Sequence, residues 1–81
     1  MNHDDIFTTI SNMVREKQVL QSIENDDDFF DAGASSLTIV DLQIQVEQTL
    51  NLKVPTEKLM AEPTIAAWAA AYIEQASPVA S

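Results

Sequence analysis

Apolar residues recur at three- and four-residue spacing over most of this chain, the interval that lines one face of an α-helix. From about Asp4 to about Ser22, that face carries Ile6, Phe7, Ile10, Met13, Val14 and Lys17. Asp4 and Asp5 near its start suit the positive end of a helix dipole. A second helix is predicted from Ser36 to about Leu50, with Asn51 as its stop. Val54-Pro55 blocks continuation. Thr56 reads as the N-cap of a short third helix through Met60. Pro63-Thr64 punctuates again, and Thr64 caps a last helix to about Gln75 with Ile65, Trp68, Ala69, Tyr72 and Ile73 inward. Residues 76–81 are expected to form a frayed tail. Between the first two helices, the stretch 23–35 breaks the pattern. It is a long loop for a compact domain, and long ordered loops are often functional. Phe29 and Phe30 are expected to pin it to the core. No stretch alternates with period two and no repeat is visible. The fold class is therefore all-α: a four-helix bundle with three longer helices, a short third one and a long loop between helices one and two.

The second helix carries more apolar surface than one buried face requires. Ile39, Leu42, Val46 and Leu50 form one stripe. Leu37, Val40 and Ile44 form another, rotated away from the first, with Asp41, Glu47 and Gln48 at its border. The second stripe is either packed under the loop or exposed for a partner. Gln43 lies near the buried stripe, where its amide is expected to find a backbone partner.

Composition narrows the function classes. At 81 residues the chain suits a single domain with one small core, spanning about 4–75. A deep active-site cavity is hard to build at this size, which favours a binding or carrier module over an enzyme. The chain has no cysteine, so disulfides, thiolate metal sites and cysteine nucleophiles are excluded. No leader and no apolar run of membrane-spanning length is present, so no membrane contact and a cytoplasmic location are expected. With 13 acidic and 4 basic residues and a net charge of −9, the surface would repel a nucleic-acid backbone. The same acidity either steers basic partners or only aids solubility.

Candidate chemistry sits where the loop meets the second helix, in Gly33-Ala34-Ser35-Ser36-Leu37. Taken alone, Ser36 reads as a helix cap and Gly33 as a turn residue. His3, the only histidine, lies near the chain start and supplies no base for a serine hydrolase. A calcium loop starting at Asp26 fails, because Phe30 takes position five and Gly33 falls at eight. No metal site is expected.

The wider string Asp28-Phe29-Phe30-Asp31-Ala32-Gly33-Ala34-Ser35-Ser36-Leu37 resembles the phosphopantetheine attachment motif of acyl and peptidyl carrier proteins. Phe29, Phe30, Asp31, Gly33, Ser36 and Leu37 are the matching positions. The similarity continues through Val40, Leu42, Glu47 and Leu50, then Val54-Pro55, then Pro63-Thr64-Ile65-Ala66-Ala67-Trp68. The resemblance implies that Ser36, directly before the leucine, carries a covalent 4′-phosphopantetheine taken from coenzyme A, with Gly33, Ser35 and Leu37 around it. A phosphopantetheinyl transferase would install the arm, and cargo would ride as a thioester on its terminal sulfur. Leu37, Val40, Asp41, Ile44 and Glu47 would then form the docking face. The partners implied are an adenylating or acyl-loading enzyme and downstream tailoring, condensation or thioesterase enzymes. No catalysis by the carrier itself is implied.

Ala32 replaces a leucine commoner in the motif, Thr38, Gln43 and Gln48 depart from fatty-acid carriers, and Phe29-Phe30 is nearer the peptidyl-carrier pattern. The expected cargo is therefore an aminoacyl or short acyl group in a nonribosomal-peptide- or polyketide-like pathway. A fatty-acid or D-alanyl carrier of the same fold is the alternative within the family, and an acidic helical adaptor without a prosthetic group is the alternative outside it. A free-standing monomeric carrier is expected.

Overall fold

Five helical elements order the computed structural model, which describes residues 2–76. They are α1 (His3–Arg15), a 3-10 helix (Gln18–Leu20), α2 (Ser36–Leu50), α3 (Thr56–Ala61) and α4 (Ile65–Ala76). No strand occurs among the described residues, so the all-α reading and the short third helix hold. The expected tail lies outside the described residues apart from Ala76, which closes α4.

The predicted first helix ends early. Asn2 caps α1 by accepting from the Asp5 N–H at 2.8 Å, and the helix stops at Arg15. Lys17 is extended, with ψ 127°. The reason lies in the period: after Val14 the next inward positions, 17, 18 and 21, are Lys, Gln and Gln. Breaking the helix lets the out-of-phase Leu20 and Ile23 turn into the core instead, where both are buried. Arg15 holds the break closed, donating through Nη2 to the Ile23 carbonyl at 2.8 Å.

The core gathers Ile6, Ile10 and Val14 from α1, Ile39, Leu42 and Val46 from α2, and Ile65, Trp68 and Tyr72 from α4, all fully buried. Each aliphatic side chain among them buries enough apolar area to favour folding by about 1.5–3 kcal/mol. Trp68 Nε1 donates to the Leu59 carbonyl at 3.0 Å, which fixes α3 on α4.

The long loop is tied down by backbone hydrogen bonds. Phe29 N–H donates to the Pro63 carbonyl at 2.8 Å, and Ala66 N–H donates to the Asn25 carbonyl at 3.0 Å. Phe29 is fully buried and meets Trp68 edge-on at a centroid distance of 5.2 Å. Phe30 does not share that role and is 39% exposed. Asp28 Oδ1 accepts from the N–H groups of Phe30 and Asp31 at 2.7 and 3.2 Å. That tight turn sends one phenylalanine inward and the next outward.

Two caps behave as predicted and one does not. Asn51 is left-handed, φ 57°, and ends α2. Thr64 Oγ1 accepts from the Ala67 N–H at 3.0 Å. Thr56, by contrast, is the first residue of α3 rather than its cap. Its hydroxyl donates to Gln43 Oε1 at 2.8 Å instead.

Candidate functional site

The turn 33–36 is built by local geometry. Gly33 has φ +111°, a region that residues with a Cβ rarely adopt. A Cβ there would also come within 3.0 Å of Val19 Cγ2, so the 3-10 helix lies directly over this turn. Gly33 and Ala34 N–H groups donate back to the carbonyls of Phe30 and Phe29, each at 3.0 Å. Ala34 is buried and anchors the turn from below.

The two serines divide their roles. Ser35, not Ser36, is the N-cap of α2: its backbone is extended, and its hydroxyl accepts from the Thr38 N–H at 3.3 Å. Ser36 is the first helical residue and is exposed. Its hydroxyl is thus spared the capping duty that the sequence assigned to it. The amides of the first helical turn lack intrahelical acceptors, and they favour an anionic group at this end of α2. The residues therefore fit a phosphodiester on the Ser36 hydroxyl: an open oxygen, a helix N-terminus behind it and no side chain across it from position 33.

The second apolar stripe of α2 faces outward. Leu37 is 82% exposed, Ile44 51% and Val40 37%. The first stripe is buried throughout. Val19 and Phe30 add exposed apolar surface on the loop side, and the sequence reading missed both. A signal for Val19 was present in the loss of the apolar period after Val14; nothing in the sequence separates Phe30 from Phe29.

The two expected docking acids are engaged within the chain. Asp41 is paired with Lys17 Nζ and accepts from Gln45 Nε2 at 3.2 Å. Glu47 turns inward rather than toward a partner. Its Oε2 accepts from Val54 N–H and Tyr72 Oη, each at 3.0 Å, and from Gln43 Nε2 at 3.3 Å. The cause is the Tyr72 hydroxyl and the Val54 amide beneath α2, both of which need an acceptor. Burial first, then the hydrogen bond to Glu47 and its charge, hold the Tyr72 proton well above the usual tyrosine range. Gln43 does find its backbone partner, donating to the Val54 carbonyl at 3.1 Å.

The loop carboxylates serve the backbone too, with Asp27 Oδ2 accepting from the Glu24 N–H at 2.9 Å. Among the described residues, no three His, Cys, Asp or Glu side chains are placed to hold a metal ion. Nor is any helix there long and apolar enough to cross a membrane.

No curated protein and no solved structure matches the chain. A family model described as a phosphopantetheine attachment site matches residues 10–72, a span that runs from the middle of α1 through the 33–36 turn, α2 and α3 into α4.

Proposed function

The chain belongs to the family of phosphopantetheine attachment domains, and from that premise we propose that Ser36 is the residue that bears the arm. The family's prosthetic group is a covalently attached 4′-phosphopantetheine, installed by a phosphopantetheinyl transferase. Such domains carry and present cargo to partner enzymes and are generally not catalysts. When attached, the group supplies a flexible tether and a terminal thiol for thioester formation. The protein's own part is to expose one hydroxyl at the head of α2, hold the turn rigid and offer a face to the enzymes that come to it.

The observation that carries the assignment is the division of labour at the turn. Ser35 caps the helix while the neighbouring Ser36 stands exposed at its first position. The exposed stripe of Leu37, Val40 and Ile44 beside it is the docking face for transferase and partner enzymes. Docking of this kind is weak and transient, since one carrier visits several enzymes.

The cargo on this reading is an aminoacyl or short acyl group of a nonribosomal-peptide- or polyketide-like pathway. Support comes from the seam between α2 and α3, where Gln43 is bonded to Thr56 and to Val54. A long alkyl chain entering there would have to break these bonds and leave polar groups unpaired, which is costly.

Incubation with coenzyme A and a broad-range transferase should add the mass of one phosphopantetheine group to the wild type and to Ser35→Ala, and none to Ser36→Ala. A gain that survives Ser36→Ala would sink the assignment. Intact mass of the protein from its own host reads the cargo directly; a long fatty acyl group there would overturn the short-cargo reading.

A further inference from the structure

The chain carries a net charge of −9, yet its second helix offers almost none of it. Only two acids, Asp41 and Glu47, stand on α2, and no cation does. Glu47 is committed to Tyr72 and Val54. That leaves Asp41 as the only carboxylate the helix could show a visitor, and Lys17 holds it.

Lys17 reaches Asp41 because of the early end of α1. Its backbone is extended there, and its side chain crosses to an acid 24 residues away. The same segment places Val19 over Gly33, so one short stretch touches both the attachment turn and the middle of α2. The pair is partly exposed, with 28% of the Lys17 side chain and 52% of the Asp41 side chain accessible. A pair in that setting adds little to stability. Its consequence is the charge that the exposed face of α2 displays.

We propose that Lys17 is a specificity-determining residue: by pairing with Asp41 it withholds the one carboxylate available on α2, so that this face selects partners with an uncharged apolar groove and gives no advantage to partners that read acids with lysine or arginine. The proposal rests on the reading of α2 as the docking helix and names the chemistry of the partner it admits. Leu37, Val40 and Ile44 supply the contact, and Lys17 decides that no charge accompanies it.

The test compares wild type, Lys17→Met, Lys17→Arg, Asp41→Asn and the Lys17→Met/Asp41→Asn double variant. Each is titrated with a synthetic amphipathic helix that carries leucines on one face and lysines along its edge, followed through the backbone amide shifts of α2. Runs at about 20 mM and about 300 mM salt separate screened from unscreened charge. At low salt, Lys17→Met should bind about two- to fivefold more tightly than wild type, the range expected for one exposed charge contact. The gain should vanish at high salt and in the double variant, and Lys17→Arg should behave as wild type. A purely structural role for Lys17 would not give a salt-dependent gain that Asp41→Asn cancels. Equal binding by wild type and Lys17→Met, or a gain that persists in the double variant, would overturn the proposal. Modification by a broad-range transferase is measured on the same proteins. A wild type that takes no phosphopantetheine while the peptide ranking holds would overturn the carrier reading instead, leaving the charge assignment in place.

Discussion

Replacing Glu47 with alanine removes one oxygen that serves three donors at once. Val54 N–H and Tyr72 Oη lose their acceptor at 3.0 Å. Gln43 loses a longer contact but keeps the Val54 carbonyl. Tyr72 and Val54 are both buried. Leaving a buried donor without a partner costs about 1–3 kcal/mol. Glu47 itself is half-buried, so water can reach part of the vacated space, and the low end of that range, about 1–1.5 kcal/mol, applies to each donor. The expected loss is about 2–3 kcal/mol in all, a large share of the roughly 5–10 kcal/mol that holds a small domain together. Trp68, the only tryptophan and fully buried, reports unfolding by fluorescence. Its urea midpoint should fall by about 2–3 M for an m-value of about 1 kcal/mol/M.

Glu47→Gln keeps an acceptor oxygen and should lose about half as much. The Tyr72 phenol adds a pH signature. Its folded value is raised, so the unfolded chain releases that proton first once pH passes about 10. Stability is therefore whole below that pH and falls as pH rises above it. In Glu47→Gln the fall should be shallower, because the carboxylate's charge is gone while the burial remains. An alanine variant that keeps wild-type stability but loses turnover with every partner enzyme would refute this reasoning and return Glu47 to the docking face.

Further outcomes follow from the turn and the two faces of α2. Gly33→Ala should cost about 1–3 kcal/mol through its φ and its approach to Val19, and should also slow transferase modification. Ser35→Ala should lower stability by about 1 kcal/mol as a lost cap and still accept the arm, as chemical denaturation and intact mass would show. Leu42→Ala should lose about 3 kcal/mol through a core cavity. Ile44→Ser should stay within about 0.5 kcal/mol of wild type while raising KM with a transferase or loading enzyme.

Much of the fold was legible because short-range chemistry writes it. Asn51, Thr64 and Val54-Pro55 act through their own backbone, so they mark boundaries in the sequence as they do in space. Ile39, Leu42, Val46 and Leu50 keep one helical phase and are buried. The break at Lys17 was readable in principle, since the apolar phase fails after Val14. It was missed because helix-forming residues continue across it, and only packing of Leu20 and Ile23 into the core shows the helix must stop.

The sequence alone determined the helical class, the two stripes of α2 and the string from Phe29 to Leu37 that resembles an attachment motif. These depend on period and on neighbours within a turn or two of chain. Tertiary structure decided which polar groups remain available. Ser35 or Ser36 could each have capped α2, and backbone geometry at the turn gave the cap to Ser35. Asp41 and Glu47 look alike along the chain, but Lys17 lies 24 residues from one and Tyr72 25 from the other. A charge is spent on whichever donor folding brings to it, and that pairing is not a local property of the sequence.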